Sequence, residues 1–422
     1  MYASAKLNGF GPLAGIKVVE LCEWVAAPAA ARCLAEMGAE VIKVENPKGD
    51  PERAQAYGFG CQRSDTCDPT YDVVNSNKDW ISLNLKTEEG LSILMKLLED
   101  ADIFINSMRD RALEKMGLDY ETLHARFPRL IWAQMRGYGE FGAMRGEPGY
   151  DAVCWGARGG VMGVFRQEGE SPAIQPQAFG DLNAAAIFAG GILGALVHQL
   201  RTGIGEKVTI NLYHVAIWAH SIGLCARQFG AAYPTSRTKV MNPFNDTFQS
   251  SDGIWFLICM PDYDRYFDQM MVMLGQDDLV GDTTISTLNA VNDGNLQSYV
   301  VSKVGEGFAT KTYEEWDRIL TEQQVPHQKL FDYDDILADQ EAYDNDALRS
   351  YESTEFGTRT LTTSPIRYGG FGHPPIILSK PIGYHTEPLL KAYGYSDEQI
   401  KDFEAAGAIS CWHGGEVDDL VH

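Results

Sequence analysis

The sequence is short of the features that mark several large protein classes. Its 422 residues hold 35 Lys and Arg against 58 Asp and Glu, a net charge of −23 at pH 7. That deficit of cations excludes non-specific nucleic-acid binding, in which Lys and Arg must neutralise phosphates. It also disfavours an anionic membrane surface. The most apolar run, Ala184–His198, is about 15 residues where a bilayer span takes about 20, so it reads as a buried helix. The first ten residues, MYASAKLNGF, lack the apolar core of a signal peptide, and none is expected. None of the eight cysteines forms a Cys-x-x-Cys pair or stands beside a His at ligand spacing. Free thiols in a cytoplasmic protein and no metal site are therefore expected. There is no repeat, low-complexity segment or charge run, and average Gly and Pro usage gives no sign of disorder.

What is present is enough apolar sequence for a large core, 45% of residues, and a length that favours two or three domains. Strands and helices alternate in the first half. Lys17–Leu21 reads as a buried strand, Val25–Met37 as a helix closed by Gly38, and Ala39–Glu45 as the next strand. This β-α-β unit predicts a parallel sheet. Strands at 79–86, 102–106 and 130–135 and helices at 87–100 and 120–126 continue it. A long helix is expected from about Asp181 to Arg201, then a strand at Lys207–Leu212 and a helix at Tyr213–Gln228. Thr247–Ser250 and Ile254–Met260 form a hairpin about Ser251-Asp252-Gly253, followed by helices at Tyr263–Leu274, Tyr313–Gln324 and Asp397–Ala406. The expected fold is α/β, a parallel sheet with flanking helices and a smaller α+β domain at roughly 230–330.

A dinucleotide site would put Gly-x-Gly-x-x-Gly in the first strand-to-helix turn. That turn is Cys22-Glu-Trp-Val-Ala-Ala-Pro28, without glycine, although Glu45 ends the second strand where a ribose-binding acid would stand. Gly369-Gly-Phe-Gly-His373 lacks the Lys-Ser/Thr of a phosphate loop and reads as a loop. His214 and His220, six apart, are off the spacing that puts two ligands on one helix face. Gly180-Asp181 precedes the long apolar helix. Asp at this point suits an N-cap. It equally suits a carboxylate kept ionised and exposed at the positive helix end, as a nucleophile requires.

Several stretches, in order, carry a family resemblance. They are Pro12-Leu-Ala-Gly-Ile-Lys-Val-Val-Glu-Leu21, Gly38-Ala-Glu-Val-Ile-Lys-Val-Glu45, Ile81-Ser-Leu-Asn-Leu-Lys86 and Ala101-Asp-Ile-Phe-Ile-Asn106. Leu113-Glu-Lys-Met-Gly117, Gly137-Tyr-Gly139, Phe179-Gly-Asp181, Thr202-Gly-Ile-Gly-Glu-Lys-Val208 and Gly383-Tyr-His-Thr386 follow. Over nearly the whole chain the sequence resembles the class III coenzyme A-transferases, the formyl-CoA and carnitine CoA-transferase type. The Val-Glu-Leu…Ala-Ala-Pro opening and Ala112–Gly117 look most like the 2-hydroxyacyl-CoA transferases of amino-acid fermentation, which act on 2-hydroxyisocaproate or phenyllactate.

The resemblance implies a large Rossmann-like domain from 1–229, completed by 331–422 around the small α+β domain at 230–330, an interlocked-ring homodimer and a nucleophile at Asp181. It implies CoA contacts at Trp24, Val25 and Ala26; at Leu83, Asn84, Leu85 and Lys86; at Asn106, Ser107 and Met108; and at Lys115, Arg145 and Tyr150. Acyl-CoA and a carboxylic acid are the implied substrates, with no permanently bound cofactor and no nucleic-acid or membrane partner. The chain departs from the family pattern at Asn46, where a basic residue follows the second strand, and from its formyl-CoA branch at Met241-Asn-Pro-Phe-Asn-Asp246, which stands in place of a poly-Gly loop. The rivals are an α-methylacyl-CoA racemase of the same fold and a non-catalytic acyl-CoA-binding protein. The racemase would need His before Asp151, where this chain has Tyr150, and a phenol of pKa about 10 is a poor base. Retention of Gly180-Asp181 argues against the binding protein.

Overall fold

Five short runs rich in Val and Ile are buried almost throughout, as strands covered on both faces must be. They are β1 (Lys17–Leu21), β2 (Glu40–Glu45), β3 (Asp79–Leu83), β4 (Ile103–Asn106) and β5 (Ile131–Arg136). With β6 (Lys207–Asn211) they form a parallel sheet in the order β3-β2-β1-β4-β5-β6. A short strand from the C-terminal region, Ile409–Ser410, adds antiparallel to the edge at β3. The computed structural model describes residues 9–64, 66–353, 355–415, 417, 420 and 421.

Helices cover both faces of the sheet. On one face, α1 (Ala26–Glu36) and the long helix of Phe179–Thr202 share a core, where Ala27, Ala30 and Ala31 meet Ala184, Ala185 and Ala189. Small side chains let two helix backbones approach closely. On the other face, α2 (Glu88–Glu99) inserts Ile93, Leu94, Leu97 and Leu98, and the C-terminal region adds Leu389, Leu390 and Ile400. Gly383-Tyr-His-Thr386 fastens that region to the sheet. His385 Nδ1 accepts the Trp80 N–H at 3.2 Å, and Thr386 Oγ1 accepts the Ser82 N–H at 2.9 Å. Two side chains thus accept β3 N–H groups beside the two-residue edge strand at Ile409–Ser410.

The chain divides into a first unit of 1–161, 174–221 and 340–422 and a second of 162–173 and 222–339. The second unit carries a three-stranded antiparallel sheet of Asn245–Gln249, Trp255–Cys259 and His327–Lys329. Its core holds Phe248, Phe256, Phe267, Phe308 and Trp316.

Four details depart from the sequence reading. The middle unit begins at 222 rather than 230, ends at 339 and recruits 162–173. The helix expected over 213–228 is broken at His220, whose Nε2 donates to the Gly159 carbonyl at 2.6 Å. The long helix expected from about Asp181 to Arg201 is present and extends to Phe179–Thr202, so although its most apolar run is about 15 residues, the whole helix is long and apolar enough to cross a bilayer by length and composition. The helix Gln297–Phe308 was not anticipated, because Gly305 and Gly307 interrupt its pattern.

Candidate active site

Strand order sets the location. The chain leaves β1 toward β2 on one side and returns to β4 on the other, and ligands bind outside the strand C-termini at such a reversal. A cavity of about 650 Å³ lies there, within the usual range for ligand sites. Leu21, Cys22 and Glu23 line it from β1, Val44, Glu45 and Asn46 from β2, and Leu83 through Thr87 from β3. The helix α3 (Asp110–Met116) closes it with Ala112, Lys115 and Met116. The walls are mainly apolar, and the exposed cations Lys86 and Lys115 stand on them.

Of the residues singled out in the sequence, Leu83, Asn84, Leu85, Lys86, Met108 and Lys115 line this one cavity. Ser107 does not line it, but its hydroxyl accepts the N–H of Glu23, which does. The Asn106 side chain is fully buried and donates to the Ala133 carbonyl, so it supports the strand ends and presents nothing to the cavity. Arg145 lies off the cavity, its exposed guanidinium paired with Asp110, which Arg136 also grips. Val25 and Ala26 begin α1, and no side chain caps that helix. Trp24 meets Tyr150 edge to face, ring centroids 5.5 Å apart.

Asp181 is the third residue of α4 (Phe179–Thr202), so it does not cap the helix; that position is Ala178. Among the described residues its carboxylate has no hydrogen-bond partner. Burial, and then the charge of Asp151, push its pKa up to about 7. The helix field, worth about 0.3–1 kcal/mol, pulls the other way and is outweighed. The sequence reading of a carboxylate kept firmly ionised by the helix end is thus corrected. The group is poorly hydrated, unpartnered and more basic than an ordinary Asp. Such a carboxylate is a better nucleophile.

Asp151 builds this corner. It precedes a wide π-type turn, Ala152–Arg158, and π-type turns recur at functional sites. Its Oδ2 accepts the Gly180 N–H at 3.3 Å and the Gln175 side chain at 2.8 Å. Trp155 from the same turn stacks edge to face on Phe179. A side chain at position 180 would place its Cβ 2.3 Å from Asp151 Oδ1 and 2.3 Å from the Trp155 ring. Glycine before Asp181 is therefore a packing requirement.

Two groups escaped sequence reasoning. Glu52 is buried, and burial, Asp50, Asp68 and Asp181 push its pKa up to about 8. Beneath the cavity Lys43 pairs with Glu20 and Asp50 at 2.9 Å each, and Lys78 pairs with Glu20 at 2.7 Å, all four side chains inaccessible to solvent. The available signal was Glu20 and Lys43 inside otherwise apolar strands. Asp50 Oδ1 accepts the N–H of Trp24, whose φ is +69°. A left-handed non-glycine residue costs about 1–3 kcal/mol. A hydrogen bond to a charged group contributes about 1.5–3 kcal/mol, enough to hold it there.

Residues 13–386 match the family model described as CoA-transferase family III. Cinnamoyl-CoA:phenyllactate CoA-transferase of Clostridium sporogenes is 38% identical over 400 residues, 94% of this chain and 97% of that protein. (R)-2-hydroxy-4-methylpentanoate CoA-transferase of Clostridioides difficile is 35% identical, covering 94% of this chain and 99% of that protein. Among solved structures, a CAIB/BAIF family protein from Brucella suis aligns with TM-score 0.75 at 25% identity, over 91% of this chain and 100% of that one.

Proposed function

The chain belongs to CoA-transferase family III, and on that premise we propose that it moves CoA from an acyl-CoA to a 2-hydroxy carboxylic acid, with Asp181 as the covalent carrier. The observation that carries this reading is the Asp181 carboxyl itself: half-buried, unpartnered and raised to about 7 at the start of α4. The choice of a 2-hydroxy acid follows the acids in the names of the two relatives.

Asp181 attacks the thioester carbonyl of the donor, the C–S bond breaks, and a mixed anhydride and CoA thiolate form. The thiolate then attacks the aspartyl carbonyl. The donor acid leaves with one Asp181 oxygen, and an aspartyl-CoA thioester remains. The acceptor carboxylate attacks that thioester, expelling thiolate and forming a second anhydride. Thiolate attack on the acceptor acyl carbon releases the new acyl-CoA and restores Asp181. Each bond broken is matched by one formed, so the thioester energy is kept without ATP, metal or redox cofactor. Water must be kept out, because every intermediate hydrolyses. The apolar cavity wall and the dehydrated surroundings of Asp181 suit that demand. In this reading Lys86 and Lys115 meet CoA phosphates.

The same proposal includes a homodimer, interlocked as in the class III family. Its support is the outer face of α4 and its neighbours, where Leu182, Ile187, Val197, Leu200, Ile204 and Trp218 are exposed. Apolar exposure on this scale marks an interaction surface. The eight cysteines are unpaired, as suits a reducing cytoplasm.

The test is a mass-spectrometric screen of CoA exchange over 2-hydroxy, 2-enoyl and short-chain acids. Wild type should transfer to 2-hydroxy acids, Asp181→Ala should not, and acyl-CoA with hydroxylamine should inactivate wild type by trapping the acyl-aspartyl group. Undiminished transfer by Asp181→Ala would remove the mechanism.

A further inference from the structure

We infer that Asp50 is a positioning residue for the CoA site: its carboxylate holds the β1-to-α1 loop at Trp24 in the conformation that receives the thioester. The inference rests on the CoA reading of the cavity, and three observations carry it.

The first is connectivity. Lys78 Nζ donates to the Pro28 carbonyl and to Asn75 Oδ1 at 2.8 Å each, and it pairs with Glu20. Glu20 pairs with Lys43, which also donates to the Cys22 carbonyl at 3.0 Å and pairs with Asp50. Asp50 Oδ1 then accepts the backbone N–H of both Trp24 and Glu52 at 3.0 Å. An unbroken buried run of charge ends on the backbone of the loop.

The second is cost. Burying four ionisable groups is expensive, and an apolar core of equal volume is often as stable. The network is therefore poorly explained by stability alone. The third is place. Cys22, Glu23 and Asp50 line the cavity, and Trp24 between them is in the left-handed region with its ring against Tyr150. Tyr150 leads into Asp151, which holds the Gly180 N–H. Asp50 thus joins the cavity wall to the corner that carries Asp181.

Two double variants separate positioning from mere stability. Lys43→Met with Asp50→Asn, and Lys43→Met with Asp50→Ala, both remove the ion pair. Only the Asn variant keeps an oxygen for the Trp24 N–H. CoA affinity by calorimetry and amide exchange of residues 23–26 by mass spectrometry are measured on the full-length protein. Lys43→Met/Asp50→Asn should bind CoA within about threefold of wild type, and Lys43→Met/Asp50→Ala should lose about tenfold or more, the weight of a charge-assisted hydrogen bond. Amide exchange at 23–26 should rise only in the Ala variant. Equal CoA affinity and equal exchange in the two would overturn the proposal, and so would failure of the Ala variant to fold beside an Asn variant without protection at 23–26. Wild type that does not bind CoA would sink the reading of the cavity instead, while the exchange comparison would still decide the role of Asp50 in holding the loop.

Discussion

Asp151 Oδ2 accepts the backbone N–H of Gly180 at 3.3 Å, one residue before Asp181. The contact ties a wide π-type turn to the first turn of α4. It also sets a negative charge beside a second carboxyl, which helps raise the Asp181 pKa. Asp151 therefore acts on both the place and the basicity of Asp181, the proposed nucleophile.

Gly180→Ala tests the place. The new Cβ would lie 2.3 Å from both Asp151 Oδ1 and the Trp155 ring, so the turn must shift. Overpacking of this kind costs about 1–3 kcal/mol. A displacement of about 1 Å at a reacting group costs about 100-fold in rate. Transfer should fall by about 100-fold while circular dichroism still reports a folded protein. Wild-type rates in this variant would deny that the Gly180 corner positions Asp181.

The basicity has a sign that can be checked. Burial and the charge of Asp151 push the Asp181 pKa up to about 7 in the folded chain, above the ordinary Asp value of about 3.9 that it takes when unfolded. Between those values the folded state binds the extra proton, so stability falls as pH rises from about 4 to 7. Asp181→Asn removes this loss. It should be more stable than wild type at pH 8, by on the order of 1 kcal/mol after solvent screening, and nearly equal at pH 4. Wild-type kcat/KM should rise with pH through about 7 as the nucleophile ionises. Glu52, pushed up to about 8 by burial and by Asp50, Asp68 and Asp181, titrates in the same range and broadens the profile. Denaturant melts at the two pH values and a pH–rate profile supply both readings; a stability gain for Asp181→Asn at pH 4 alone would reverse the sign and refute the assignment.

Lys86 and Lys115 test the cavity. Each is exposed, so its contribution to binding a phosphate is screened. Lys86→Ala and Lys115→Ala should each raise KM for acyl-CoA about 2–5-fold with kcat little changed. The matching acyl-pantetheine, which lacks the nucleotide, should be insensitive to both changes. Equal losses with the truncated substrate would mean that the lysines act elsewhere.

Assembly is tested on the outer face of α4. Sedimentation of wild type should show a dimer that persists on dilution to nanomolar protein. Long-range repulsion between chains of −23 charge is screened within about 10 Å at 0.1 M salt. Leu200→Asp with Ile187→Asp should weaken the dimer, since both side chains are exposed in the single chain. A stable, folded 46.7 kDa species of wild type at micromolar protein would exclude the interlocked dimer.

Much was legible from residue order alone. Lys17–Leu21 and Tyr120–Arg126 were read to the residue, because period and punctuation are local. The strand order was not readable, since it depends on which apolar faces find each other. The same limit hid the break at His220: the apolar pattern runs on past it, and only a carbonyl 61 residues away in sequence explains the turn.

At the site the division is similar. Sequence singled out Gly180-Asp181 and the stretches ending β1, β3 and β4, because small motifs at strand and helix ends are local in the chain. It mistook the helix end for the controlling influence on Asp181, because a helix dipole can be read from position whereas dehydration cannot. Tertiary structure alone brought Asp151 to Gly180, Asp50 to Trp24 and Lys43 between Glu20 and Asp50. Burial and the charge of a neighbour depend on what the folded chain places within a few ångströms, and no spacing along the sequence records that distance.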